Sequence, residues 1–196
     1  MRKHSPFILV ISGPSGVGKS TVLRKVMEGM EGLWLSVSTT TRPPRPGEVD
    51  GVDYFFVSEE EFKKGIERSE FAEWAIVFGH RYGTPKKALL ERMREGLDVV
   101  LEIDTQGARQ IKEAFGTDCI TVFIAPPSID ELWARLSGRG TEDTEDLTRR
   151  LENARREMEE GKHYDYWVIN DTVDEAALDI ISVIRAERCR RSERFS

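Results

Sequence analysis

Phe7-Ile8-Leu9-Val10-Ile11-Ser12-Gly13-Pro14-Ser15-Gly16-Val17-Gly18-Lys19-Ser20-Thr21 is the stretch from which the fold can be read. Residues 7–11 are an unbroken apolar run rich in β-branched side chains, the pattern of a parallel strand buried on both faces. The run leads into Gly13-x-x-x-x-Gly18-Lys19-Ser20, which matches the phosphate-loop pattern G-x-x-x-x-G-K-S/T. Beyond it, apolar residues at 22, 23, 26, 27 and 30 recur at helical spacing. Strand, loop and helix thus follow in the order that phosphate binding requires. The glycines let the backbone bend closely around an anion. The freed N–H groups and the helix N-terminus then point at phosphate oxygens. Gly13, Pro14, Ser15, Gly16, Val17, Gly18, Lys19, Ser20 and Thr21 are therefore the candidate triphosphate cradle. Lys19 carries a full charge to the β- and γ-phosphates, and the Ser20 hydroxyl is placed for Mg²⁺.

Working outward, 196 residues suffice for one α/β domain with a proper core and an insertion or two. A formal net charge of −6 provides no global basic field for nucleic acid. An acidic chain that binds polyphosphate must concentrate its positive charge locally, so its Lys and Arg clusters are informative. Cys119 lies in an apolar run and Cys189 in a charged tail, which suits two free thiols in a reducing compartment. The basic Arg2-Lys3-His4 precedes an apolar run that stops at Ser12-Gly13, too short for a signal sequence or a membrane span. The expected location is the cytoplasm, with no membrane or nucleic-acid partner. Monomer and homo-oligomer are both left open.

In chain order, a second strand is expected over 34–38, followed by a long polar loop over 39–51. Three prolines and a glycine stiffen the heart of that loop, Thr40-Thr41-Arg42-Pro43-Pro44-Arg45-Pro46-Gly47-Glu48. A short strand is expected over 53–57. Ser58-x-x-Glu61 is a capping box opening a helix to about 68. A strand over 71–78, a turn over 80–84 and a helix from Pro85 to 94 follow. The next strand, 99–104, ends in a carboxylate and leads to a helix over 106–115. After a strand over 120–124, Ser128-x-x-Glu131 caps a helix to about 137. Gly138-Arg139-Gly140-Thr141 breaks the chain before a charged helix over 145–160. A strand over 166–170 and a helix over 173–189 complete it. Strands alternating with helices imply a parallel sheet covered on both faces.

A phosphate loop specifies a nucleotide but not a reaction. Arg42 and Arg45, three apart on the proline-stiffened loop, make a preorganised fork for one phosphate, because planar guanidinium donors match phosphate oxygens. The Tyr54 hydroxyl offers a further donor. The full pattern, Thr40-Thr41-Arg42-x-x-Arg45-x-x-Glu48-x-x-Gly51-x-x-Tyr54-x-Phe56, resembles the guanylate kinase signature. The resemblance extends over residues 7–186 through Glu70-Phe71-x-Glu73-Trp74, Tyr82-Gly83-Thr84, Ile103-Asp104-x-Gln106-Gly107, Ile124-Ala125-Pro126-Pro127-Ser128, Gly138-Arg139-Gly140-Thr141 and Ile169-Asn170-Asp171.

The resemblance implies transfer of the γ-phosphoryl group of ATP to GMP with Mg²⁺. It implies an α/β fold of the P-loop NTPase type, a parallel sheet flanked by helices, with an inserted mixed α/β GMP-binding region and a helical lid. One domain is expected, with its core at about 5–35, 96–126 and 163–190, its GMP-binding region at about 36–95 and its lid at about 127–160. Ser38, Arg42, Arg45, Tyr54, Glu73, Tyr82, Thr84 and Asp104 would contact GMP. Residues 13–21 and Asn170 would hold ATP. A carboxylate in an apolar strand is costly without a partner, and guanine offers N1–H and a 2-amino group side by side. Glu73 is the candidate, with Asp104 helping. Asp104 also stands where NTPases place a carboxylate that organises Mg²⁺ through water, so either role or both are open. Glu102 is open between a functional charge and one at a sheet face. Arg135, Arg139 and Arg150, with Arg149 beside them, would shield and neutralise the transferring phosphoryl group from the lid. Lys19, Arg42, Arg135, Arg139 and Arg150 form the expected catalytic set. The alternatives are a guanylate-kinase-like module that binds proteins rather than GMP, and a P-loop kinase for another small molecule.

Overall fold

Ile8, Leu9, Val10 and Ile11 have no exposed surface, as a strand covered on both faces must. The computed structural model describes residues 4–137 and 144–192. In chain order its elements are β1 (Ile8–Ser12), α1 (Lys19–Gly29), β2 (Leu33–Leu35), β3 (Thr39–Thr40), β4 (Phe55–Phe56), α2 (Glu59–Glu67), β5 (Phe71–Val77), β6 (His80–Pro85), α3 (Lys86–Arg94), β7 (Asp98–Glu102), α4 (Thr105–Phe115), β8 (Cys119–Ala125), α5 (Ile129–Ser137), α6 (Thr144–Gly161), β9 (Tyr166–Ile169) and α7 (Val173–Arg190).

A five-stranded parallel sheet in the order β2-β7-β1-β8-β9 forms the centre. Side chains alternate across it. Leu9 and Ile11 pack with Val22 and Val26 of α1 and Ile180 and Ile184 of α7. Ile8 and Val10 pack on the opposite face with Leu89 of α3 and Ala108 and Ile111 of α4. One apolar run therefore serves two cores. β1 sits between neighbours reached by crossovers in opposite directions, so a crevice opens at the carboxyl ends of the strands.

A second sheet, β4-β3-β6-β5, is mixed: β3 pairs β4 in parallel, while β6 pairs both β3 and β5 antiparallel. Here the chain departs from two expectations. Residues 80–84 are strand rather than turn, because the reversal is made by Phe78-Gly79 alone, both at positive φ (49° and 82°). No Asn-Gly or Asp-Gly pair marks that hairpin in the sequence. The expected strand over 34–38 stops at Leu35. Ser36 N–H gives one further bond to Val100 O at 2.9 Å, and the chain then crosses to the second sheet as β3, inside the stretch expected to be loop. The capping box at Ser58 and Glu61 forms as expected. The free cysteines are Cys119, buried, and Cys189, exposed. Among the described residues no helix is long and apolar enough to cross a membrane.

Candidate functional site

The phosphate loop leaves β1 with Gly13, Gly16 and Gly18 all at positive φ (151°, 85° and 94°). A Cβ on Gly13 would lie 2.2 Å from Ile124 O of β8, so only glycine lets the loop pass that strand. Val17 is fully buried and pins the loop to the core. Asn170, just beyond β9, braces it from below: its Nδ2 donates to Val17 O at 2.7 Å and its N–H to Ala125 O at 2.8 Å. Pro14 and Ser15 form the crest, where Val17 N–H closes a turn on Pro14 O at 3.2 Å. Lys19 folds back over the loop, donating to Gly13 O at 2.6 Å and Pro14 O at 3.1 Å. Burial pulls its ammonium pKa below the ordinary lysine value, and Glu102, Glu157 and Asp104 push the other way. Ser20 Oγ donates to Glu102 Oε1 at 2.8 Å, while Thr21 is exposed on the first turn of α1.

Across the crevice, the proline-stiffened loop holds Arg42 in place. Its Nη2 donates to Glu48 at 2.8 Å, its Nη1 to Pro43 O at 2.8 Å and its Nε to Tyr82 Oη at 3.2 Å. The guanidinium lies 5.4 Å from the Tyr54 ring centroid and 5.8 Å from that of Phe56. Glu48 also accepts from the Arg45 N–H at 2.7 Å, so one carboxylate sets the spacing of both arginines. Arg45 itself is exposed. Tyr54 stands edge-on to Tyr82 with centroids 5.9 Å apart. Burial pushes the Tyr54 phenol up to about 12, so it remains a donor at neutral pH. Ser38 is half-buried in the approach to β3, and its carbonyl accepts from Phe55 N–H at 2.9 Å.

Glu73 on β5 is 4% exposed. Thr84 of the paired strand donates to it at 2.6 Å. Burial raises its carboxyl to about 7, with Asp104 adding to the rise and the Thr84 hydrogen bonds opposing it. Asp104 lies after β7 rather than within it. It caps α4, accepting from Gly107 N–H at 2.9 Å and Gln106 Nε2 at 3.0 Å. Burial raises its pKa as well. A Cβ on Gly107 would stand 2.4 Å from Glu73 Oε2, so the absence of a side chain there admits Glu73 to the first turn of α4.

On the third side, Arg135 of α5 donates through both Nη atoms to Asn170 O at 3.2 Å, and so reaches the rim of the phosphate loop. Arg150 of α6 lies with its Cζ 5.8 Å from the Phe78 ring centroid. Arg139 lies outside the described residues, as does the side chain of Arg149. Three contributors escaped the sequence reading as individual residues. Glu48 and Gly107 were legible only as members of a pattern, without their partners. Glu157 looked like one charge among many on α6, although it is three residues after the buried Ala154 and four before Gly161, which is seated against Phe123. Its burial on that face raises its carboxyl to about 7, with Lys19 lowering and Asp104 and Glu160 raising it.

The donor set suits a hard divalent cation: the Ser20 hydroxyl, Glu102 and Asp104 all offer oxygen. Among the described residues no group of three His, Cys, Asp or Glu forms a protein cage. Oxygen donors of this kind suit a small, hard ion such as Mg²⁺.

A phosphate loop at the carboxyl edge of a parallel sheet defines a P-loop protein that handles nucleotides. The family model "Guanylate kinase" matches residues 5–187. The chain is 50% identical over 188 residues to a guanylate kinase of Caldanaerobacter subterraneus, covering 96% of this chain and 91% of that protein. It is 49% identical over 179 residues to a guanylate kinase of Thermobifida fusca, covering 91% of each. A crystal structure of guanylate kinase from Anaplasma phagocytophilum superposes with a TM-score of 0.82 at 38% identity, covering 96% of this chain and 89% of that one. The chain belongs to the guanylate kinase family.

Proposed function

We propose that this chain transfers the γ-phosphoryl group of ATP to GMP, giving ADP and GDP, with residues 13–21 and Asn170 on the donor side and Ser38, Arg42, Arg45, Tyr54, Glu73, Tyr82, Thr84 and Asp104 on the acceptor side. One observation carries the reading: a phosphate loop and a buried carboxylate, Glu73, with its pKa raised to about 7, share one crevice with a preorganised arginine, Arg42. Guanine presents N1–H and a 2-amino group to Glu73, and the Thr84 hydroxyl anchors the carboxylate. Arg42 and Arg45, with the Tyr54 and Tyr82 hydroxyls, take the acceptor phosphate. Residues 36–95 serve as the acceptor region and 127–160 as the lid, around the core at 5–35, 96–126 and 163–190.

No strong general base is needed, because phosphate is already a nucleophile at neutral pH. The chain aligns two phosphates and neutralises charge. Lys19 leaves its two loop carbonyls for the β- and γ-phosphates, and the glycine-freed N–H groups take the remaining oxygens. Arg135, Arg139 and Arg150 close over the transferring group and exclude water. Ser20, and Asp104 through water, would hold Mg²⁺, which would supply charge neutralisation at the phosphates. A cytoplasmic location suits these small-molecule substrates.

A coupled assay with GMP, AMP, UMP and CMP tests the acceptor: turnover confined to GMP supports the reading, and preference for another monophosphate refutes it. Lys19→Ala is expected to lower kcat by a factor on the order of 10² or more, since its contact strengthens in the transition state. An unchanged kcat would remove residues 13–21 from the donor site.

A further inference from the structure

The β5–β6 hairpin reverses on two residues, between the paired Val77 and His80. Both turn residues, Phe78 and Gly79, have positive φ (49° and 82°). Turns of this kind favour Asn, Asp or Gly at the first position, because a bulky side chain is strained in the left-handed region. Burial does not offset that strain, for Phe78 is 50% exposed. The ring instead meets a cation from another part of the molecule: Arg150 of α6 stands with Cζ 5.8 Å from its centroid. A residue costly to its own turn, and only half covered, thus supplies an aromatic face at the hairpin tip to α6.

We propose that Phe78 is a positioning residue: the hairpin tip of the second sheet presents its ring as a seat for Arg150 and so sets that arginine for phosphoryl transfer. The proposal rests on the reading above, in which Arg150 is a lid arginine and the second sheet belongs to the acceptor region. The seat joins the two regions that must come together around the reacting phosphates. A π face engages a guanidinium through its plane and so fixes the direction of the group. Phe78 touches neither substrate in this scheme and acts through Arg150.

Phe78→Asn is the informative variant, because it suits the turn and removes the ring. Its thermal midpoint should equal or exceed that of the parent, while kcat falls about two- to fivefold, the scale of a partly exposed cation–π contact. KM for GMP and ATP should stay nearly constant. Phe78→Tyr and Phe78→Trp should retain kcat, whereas Phe78→Leu, apolar but without a π face, should lose it as Asn does. In an Arg150→Ala background, Phe78→Asn should cost nothing more. Parental kcat in Phe78→Asn, a Leu variant as active as the Tyr one, a parental kcat in Arg150→Ala, or losses that simply add would each overturn the proposal. The reading and the seat fail separately. A parent inactive on GMP refutes the reading, and the urea midpoints of Phe78→Leu with and without Arg150→Ala still test the seat. Leu should cost stability only while Arg150 is present, and equal costs in both backgrounds overturn the seat.

Discussion

Asp98 opens β7 at the amino end of the central sheet, Glu73 lies in β5 above its carboxyl end, and the two are 0% and 4% exposed. Asp98 is enclosed by donors of its own chain: His4 Nε2 at 2.9 Å, Arg188 Nε at 2.7 Å and Phe7 N–H at 3.3 Å. Arg188 in turn donates to Glu31 O at 3.0 Å, so one carboxylate ties the N-terminal segment, β7 and α7 together. Glu73 has the Thr84 hydroxyl as its side-chain donor and Asp104 as a repelling neighbour, and its carboxyl is raised to about 7. A buried charge supplied with partners is a finished structural joint. One left short of donors is held ready for donors from outside the chain. The contrast sets Asp98, a joint of the fold, against Glu73, the proposed recognition residue, and it can be broken at either end.

The largest effect is expected at Glu73. Glu73→Gln keeps the shape of the side chain but sets an N–H against the donors of guanine. A site built on buried hydrogen bonds rejects a mismatched partner by roughly 10⁴, so kcat/KM for GMP should fall by a factor on the order of 10³ or more. Circular dichroism and the melting midpoint should be preserved, because no cavity forms and a desolvated charge disappears. Residual AMP turnover should change far less in proportion, since adenine has a lone pair at N1 and no 2-amino group. Equal losses for GMP and AMP would make Glu73 a second Asp98.

Asp98→Asn tests the other end. It leaves His4, Arg188 and the Phe7 N–H facing a neutral, partly mismatched amide. The stability lost should be about 2–4 kcal/mol by urea denaturation, within the range for breaking a buried charged network. At low temperature, where the variant stays folded, kcat and both KM values should match the parent. A shifted KM for GMP in a stable Asp98→Asn protein would show that the two carboxylates are coupled through the sheet and would end the division of labour.

These two acids also show what a sequence displays locally and what it does not. Glu73 was legible because a charge inside Phe71-Ala72-Glu73-Trp74-Ala75 breaks a local rule of burial and so calls for a partner. The phosphate loop was legible because its residues are contiguous and each has a local backbone reason. Asp98 was not legible. It precedes an apolar run like any strand-opening polar residue, and its partners are at positions 4 and 188. Glu48 and Gly107 failed for the same reason, since their meaning lies in Arg42 and Glu73 across the fold. The misread stretch at 80–84 differs: Phe78-Gly79 carries the wrong turn chemistry for the hairpin it forms, so a local rule was broken without a local sign of what compensates. Of residues 127–160, the proposed lid, the sequence shows charge and a glycine break, but not which face of α6 lies inward. That is why Glu157 was lost among Glu152, Glu159 and Glu160.

The smallest expected effect is the most diagnostic of the mechanism, because it reads Glu73 without altering the chain. Guanine donors need the carboxylate form, so GMP binding should be linked to release of a proton from a group near pH 7. Between pH 6 and 8, KM for GMP should fall with rising pH, by no more than about tenfold per unit below the pKa, and then level off. The acceptor phosphate titrates near pH 6 as well, and Glu73→Gln separates the two: the variant keeps the phosphate component and loses the one near 7. Stability of the protein without nucleotide should move the opposite way. A folded-state pKa raised above the unfolded value favours the protonated form, so this contribution is fully present below about 4.5 and is lost as pH rises through about 7. Glu157 shares the sign and the window, so Glu73→Gln should remove only part of that slope. Saturating GMP should flatten the Glu73 part, because the nucleotide supplies the donors that the fold withholds. A pH-independent KM for GMP in the parent, with the stability slope intact, would mean that Glu73 titrates in a pocket the base never enters.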